Sequence, residues 1–348
     1  MELEYKPYSL EFSFDAGTSR GIMKKREIWL LELKAFPESP IIGKGEVAPL
    51  RGLSHESIDD IPDQLSKLRQ QLKHSVLPST VEEIFHFTKT LLEQYPSIRM
   101  GLEMAMIDLV NGGKQLWYHN DWTAGNSSIP INGLIWMNSA DNMKGQFEEK
   151  LAQGFDCIKM KIGAIDFDQE LEVLRYIRSK FSGVLRVDAN GAFQTQDVLR
   201  KLELLAEYDL HSIEQPIMPR QWPAMHLVCG HSKIPVALDE ELIGIWSKQQ
   251  KSQLLDEIEP EYIILKPSLL GGFYETSEWI ELASAKKIGW WITSALESNL
   301  GLNAIAQYTA NFQPTTAQGL GTGGLFINNL PAATYIEKGQ LHYGPTNS

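Results

Sequence analysis

Short apolar runs recur through the middle of the chain, and each closes on a charged side chain. In Cys157-Ile158-Lys159-Met160-Lys161-Ile162-Gly163, strand alternation places Cys157, Lys159 and Lys161 on one face and Ile158, Met160 and Ile162 on the other. The runs 184–188, 212–214, 236–239 and 263–266 follow, ending in Asp188, Glu214, Asp239 and Lys266. The closing charges stand at positions 161, 188, 214, 239 and 266, at intervals of 25 to 27 residues. A strand, a helix and two short loops need about that length, since a βαβ unit takes roughly 30 residues. Before the lysine run, 131–137 reads as a strand and 142–153 as the helix after it; beyond Lys266, 290–294 and 315–319 read as two more strands. Eight strands suit a closed parallel barrel, and a charge at the C-terminal end of five successive ones describes its chemical mouth.

The first third has a different rhythm. Residues 8–14, 26–33 and 41–48 read as an antiparallel meander, with 15–25 (holding Gly17, Arg20 and Gly21) as a connecting loop. Ser54 is placed to cap a helix running to about His74, and Ser79-Thr80-Val81-Glu82 resembles a capping box. A third helix opens at Pro96-Ser97, carries Ile98, Leu102, Ala105, Met106 and Leu109 on one stripe, and stops at Gly112-Gly113. The fold predicted is α/β: a modified (β/α)8 TIM barrel over residues 126–324 with an N-terminal α+β capping domain over 1–125. The tail 325–348, with a strand near 335–343, is expected to pack back on the capping domain.

Composition narrows the partners. Lysine and arginine number 32 against 44 acids, a net charge of −12, which disfavours nucleic acid and anionic membrane. Two cysteines, Cys157 and Cys229, give neither a disulfide framework nor a zinc ribbon. The first residues lack a basic stretch followed by an apolar one, and no run approaches 18 apolar residues, so the expectation is a reduced, cytoplasmic compartment. A small-molecule carboxylate is the expected ligand; a homo-oligomer is compatible with the composition.

Asp188, Glu214 and Asp239 end successive strands and should converge. Three clustered carboxylates raise one another's pKa unless a cation neutralises them. With no histidine or cysteine among them, all-oxygen ligation favours Mg²⁺, or Mn²⁺, as the cofactor. Asn190 falls two residues beyond Asp188, either behind the acids or against the substrate. Lys159 and Lys161 stand on one side and Lys266 on the other, and neighbouring ammonium groups depress one another's pKa toward that of a usable base. A divalent cation between opposed lysines suits abstraction of the proton beside a carboxylate, through an enediolate. The stretches Gly271-Gly272 and Gly321 to Gly324 lack the Lys-Ser/Thr of a phosphate loop and read as turns, with backbone N–H groups facing a carboxylate.

With these residues in place, the chain resembles the muconate-lactonising-enzyme branch of the enolase superfamily over nearly its whole length. The motifs are Lys159-Met160-Lys161, Asp188-Ala189-Asn190, Glu214-Gln215-Pro216, Asp239-Glu240 and Lys266-Pro267. Softer likenesses at residues 45–50, 96–109, 130–136, 296–302 and 321–326 make it most similar to the o-succinylbenzoate synthases. The resemblance implies that Asp188, Glu214 and Asp239 hold Mg²⁺. It makes Lys161 general base and then general acid, Lys266 the cation that stabilises the enediolate, and Lys159 a contact of the substrate carboxylate. The implied reaction is loss of water from 2-succinyl-6-hydroxy-2,4-cyclohexadiene-1-carboxylate to give 2-succinylbenzoate, in menaquinone biosynthesis. Residues 15–25 would close over the mouth with Arg20 on the substrate, and Ser294 would meet the succinyl tail.

Two other readings are weighed against this one. N-succinylamino-acid racemisation would use the same two lysines as bases on opposite faces of one carbon. A catalytically silent barrel acting as a binding protein would have no reason to retain three acids and three lysines in mutual repulsion. A histidine base is disfavoured because none occurs in 290–298, and 318–322 lacks the Asp-x-Asp with which dipeptide epimerases hold an amine.

Overall fold

The computed structural model describes residues 1–18 and 21–344. The chain opens on a long antiparallel hairpin: β1 (Glu2–Thr18) pairs with β2 (Gly21–Lys34), and β3 (Gly43–Val47) pairs with the other edge of β2. Leu3, Leu31 and Leu33 are buried on one face of this sheet and Leu10 and Ile28 on the other. Helices α1 (Ile61–Leu72), α2 (Val81–Leu91) and α3 (Pro96–Val110) complete the unit. Residues 96–109 of α3 are all buried, because the helix is covered by β3 on one side and by barrel helices on the other. Its charged side chains Arg99, Glu103 and Asp108 therefore need partners inside the protein.

Of the segment 15–25, expected to be a loop, residues 15–18 and 21–25 instead belong to the two strands of the hairpin, with Ala16 opposite Met23 and Gly17 opposite Ile22. Gly17 is read too readily as a loop signal. It lies where the hairpin touches the barrel, and a Cβ there would collide with the Met137 carbonyl. Ser54 does not cap α1; its hydroxyl accepts from Leu50 N–H, and the helix begins after a tight turn capped by Ser57. The capping box of α2 falls one residue later than expected, on Thr80 and Glu83.

After β4 (Ile129–Pro130), seven parallel strands lie side by side in chain order. They are β5 (Gly133–Ile135), β6 (Cys157–Lys161), β7 (Val184–Asp188), β8 (Ser212–Glu214), β9 (Val236–Leu238), β10 (Tyr262–Leu265) and β11 (Gly289–Ile292). Outside them run α4 (Ala140–Ala152), α5 (Phe167–Lys180), α6 (Val198–Leu205), α7 (Trp222–His231), α8 (Lys248–Ile258), the short α9 (Pro267–Leu270), α10 (Gly272–Ala285) and α11 (Asn299–Ala310). The eighth stave is less regular than the sequence suggested. It closes the ring through two isolated bridges, Ile131 to Gln318 and Thr293 to Gly319. Side-chain amides bond to backbone at the two edges of this sheet: Gln318 accepts from Ile292 N–H, and Gln146 both accepts from Trp136 N–H and donates to Trp136 O.

The tail divides. Residues 325–328 run back along β1, where Ser13 N–H donates to Leu325 O and Ile327 N–H to Glu11 O. The hairpin β12 (Thr334–Glu337) and β13 (Gln340–Tyr343) instead pairs with β4 at the barrel's other end, and Trp122 Nε1 donates to Leu341 O.

Candidate active site

Register brings the charges of three strands to one level. Lys161 lies opposite Asp188 and Asp188 opposite Glu214 in the β6–β7–β8 ladder. In a strand, residues two apart share a face, so Lys159 sits one layer below Lys161. Both lysines are about nine-tenths buried and both acids are fully buried. Lys159 Nζ bonds Glu214 Oε2 and lies 3.0 Å from Asp188 Oδ2. Lys161 Nζ donates to Asp188 Oδ2 at 3.1 Å and to Asn190 Oδ1 at 2.7 Å. On the far side of the barrel, Lys266 pairs with Asp239. Asn190, in the left-handed region at φ 45°, turns its amide nitrogen to Glu240 Oε1 at 3.1 Å. It thus ties Lys161 to the strand bearing Asp239.

The three lysines experience different fields. Burial alone would lower Lys159, but Asp188 and Glu214 outweigh it and hold that ammonium well above its ordinary range. Lys266 is also raised, because Asp239 and Glu240 overcome its burial. Lys161 is the one that falls: burial, with repulsion from Lys159 and Lys266, exceeds the pull of Asp188. Among the acids, Asp188 is depressed, since the three lysines outweigh its burial. Glu214 is raised by burial and by Asp188. Asp239 is pushed up to about 7 by burial, with Glu240, Asp188 and Glu214 adding to it against Lys266.

Among the described residues, no three His, Cys, Asp or Glu side chains stand together as a metal-holding group. Lys159, reaching both Asp188 and Glu214, takes the central place between those two acids. The donor set nevertheless fits a hard divalent cation. All three candidate ligands offer carboxylate oxygens, and Glu214 Oε1 is buried without a hydrogen-bond partner. Burial, with the neighbouring acids adding to it, raises Glu214 and Asp239, and a cation beside them would favour their ionised forms.

Of these groups, Lys159, Lys161, Asp188, Asn190 and Lys266 line a cavity of about 960 Å³ together with Ser294, whereas Glu214 and Asp239 are not in its wall. Phe14 and Met23 from the hairpin, Leu50 and Leu53 from the segment after β3, and Trp136 supply an apolar rim. Ser294 faces the cavity, but its hydroxyl is engaged by Glu297 Oε2 at 2.6 Å. Arg20 lies outside the described residues. Sequence reasoning assigned no role to Glu170, whose Oε1 accepts from Gly163 N–H at 2.6 Å and so fixes the loop after Lys161. Burial pushes Glu170 up to about 7. An acid in the first turn of the helix following Lys161 is the available signal, one shared by many helices that hold no site.

Comparison with known proteins agrees with this architecture. A family described as enolase C-terminal domain-like matches residues 142–336. An o-succinylbenzoate synthase of Desulfotalea psychrophila is 45% identical over 98% of this chain and 98% of its own length. The crystal structure of MenC from the same organism superposes with a TM-score of 0.89 at 42% identity, covering 98% of this chain and 99% of that one. A muconate lactonizing enzyme from Pseudomonas fluorescens, solved with muconolactone, shares the fold at 21% identity and a TM-score of 0.83, covering 99% and 94%.

Proposed function

The chain belongs to the enolase superfamily, among carbon–oxygen lyases like the o-succinylbenzoate synthases, and we propose that it removes water from 2-succinyl-6-hydroxy-2,4-cyclohexadiene-1-carboxylate to give 2-succinylbenzoate. The observation that carries this reading is Lys161, the one lysine of three whose pKa is lowered, standing in the cavity opposite a lysine that stays charged. Lys161 takes the proton from the ring carbon bearing the carboxylate. Lys266, held cationic by Asp239 and Glu240, stabilises the enediolate that forms. Lys161, now protonated, returns that proton to the departing hydroxyl on the same ring face, so one group serves as base and then acid and water leaves. Lys159 lies against the substrate carboxylate.

Asp188, Glu214 and Asp239 would hold Mg²⁺, with Mn²⁺ as a substitute. When bound, the ion would supply positive charge for the substrate carboxylate. The apolar rim of Phe14, Met23, Leu50, Leu53 and Trp136 excludes water and turns the ring toward Lys161. The product places the enzyme in menaquinone biosynthesis.

A second reading rests on the same pair of lysines: in racemisation of an N-succinylamino acid, Lys266 would donate or accept a proton on the face opposite Lys161. Turnover of both substrates by one preparation, with and without chelator, tests the proposal. Chelator-sensitive formation of 2-succinylbenzoate supports it. Racemisation without dehydration overturns it. A Lys266→Arg variant separates the two chemistries, because arginine keeps the cation but cannot readily carry the proton.

A further inference from the structure

The double glycine after Lys266 was read from the sequence as a turn whose backbone N–H groups face a carboxylate. The structure supplies that carboxylate from the other domain. Glu103, fully buried on α3, accepts from Phe273 N–H through Oε2 at 2.7 Å, at the first turn of α10. One helical turn earlier, Arg99 donates from Nε to the Gly271 carbonyl. Both glycines lie in the left-handed region, at φ 106° and 92°, and a Cβ on either would collide with Arg99 or Glu103. Arg99 is itself held 2.8 Å from Glu275 Oε1, and Glu275 is paired with Lys251.

Only the short helix α9 separates this clamp from Lys266. Gly271 N–H donates to Pro267 O, while Leu269 and Leu270 donate to the Lys266 carbonyl at 2.9 and 3.1 Å. Met100, also on α3, touches the Ser268 hydroxyl. The backbone of Lys266 is thus joined to α3 through one rigid turn, with no solvent-exposed link between them.

We propose that Arg99 and Glu103 are positioning residues for Lys266: the capping domain, not the barrel alone, sets where that ammonium stands across the cavity from Lys161. The consequence for turnover rests on the function proposed above, but the placement of Lys266 does not, so the two are measured separately. Placement is read by competitive acetylation of the Mg²⁺-loaded protein with acetic anhydride, with Lys266 and Lys161 quantified in the same sample by mass spectrometry.

In Glu103→Ala, acetylation of Lys266 should change severalfold relative to Lys161. In Glu103→Gln, which still offers an oxygen to Phe273 N–H, it should return to the wild-type value. If dehydration is the reaction, kcat of Glu103→Ala should fall by roughly 10 to 100-fold with little change in KM, since displacing a reacting group by about 1 Å can cost 10²-fold. Arg99→Lys, which removes the bond to Gly271 O but keeps a charge beside Glu275, gives the same reading should Glu103→Ala fail to fold. Lys266 acetylation unchanged in the folded variants, or Lys161 and Lys266 changing together, would overturn the proposal. Altered acetylation without any turnover by the wild type would sink the proposed function and leave the positioning role standing.

Discussion

The two sides of the barrel mouth are held in different ways. On one side, the ends of β6, β7 and β8 hold one another: Lys159, Lys161, Asp188, Glu214 and Asn190 form ion pairs and hydrogen bonds within the barrel itself. On the other, the ends of β10 and β11 are held from the capping domain. Arg26 of β2 donates to Ala295 O, Glu46 of β3 accepts from Ser298 and Gly301, and α3 grips the turn beyond Lys266. Between them Glu297 accepts from both Ser268 and Ser294. Two of the three acids and two of the three lysines are held within one ladder of the barrel, whereas the turn beyond Lys266 is held by a separate domain.

That division makes predictions, beginning with the side that carries the charges. Removing the divalent ion with chelator should abolish turnover and lower thermal stability; restoring Mg²⁺ to about 100 times its dissociation constant should return roughly 2.7 kcal/mol, read from the melting temperature. Next, Lys161→Ala should reduce turnover by about 10²–10⁴-fold, the usual worth of a positioned acid–base group, while Mg²⁺ still binds by calorimetry. Loss of metal binding in that variant would show that the ladder does not hold itself.

The capping-domain side should respond in stability more than in metal affinity. Glu297→Ala leaves buried donors on Ser268, Ser294 and Ala295 unpaired, at about 1–3 kcal/mol each, measured by denaturant unfolding. Mg²⁺ affinity should stay near wild type; a large drop would erase the contrast between the two sides. The smallest effect is in pH. Burial raises Glu46 from its ordinary 4.5 to about 7, so the folded state holds this proton more tightly than the unfolded chain. Its contribution to stability is therefore complete below about 4.5 and is lost as pH rises through about 7. Unfolding measured across that window should show a decline, shared with Glu170 and Asp239, that Glu46→Gln lessens; an equal decline in the variant would exclude Glu46 as a source.

The same contrast decided what could be read from the sequence. Asp188, Glu214, Asp239 and Lys266 announce themselves because each ends an apolar run at a fixed interval, and the parallel register of the barrel turns that interval into proximity. Nothing comparable marks Arg99, Glu103 or Glu46. They lie within apolar stretches of the capping domain, and their partners stand 170 to 255 residues away. Glycine misled in one place and informed in another. Gly17 suggested a loop where it permits close approach to the barrel, whereas Gly271-Gly272 was read as a turn facing a carboxylate whose owner no local pattern could name. The eighth stave was legible as a segment but not as two bridges, since its defect lies in pairing.

The central claim is that Asp188, Glu214 and Asp239 share one divalent ion between Lys161 and Lys266. A crystal of the protein grown with Mn²⁺ and 2-succinylbenzoate, measured at a wavelength where manganese scatters anomalously, tests it directly. The account predicts a single peak within coordination distance of all three carboxylates, with Lys159 released from Glu214 and the two other lysines on opposite faces of the ring. Absence of the peak with Lys159 still bridging Asp188 and Glu214, or an ion bound elsewhere, would contradict it.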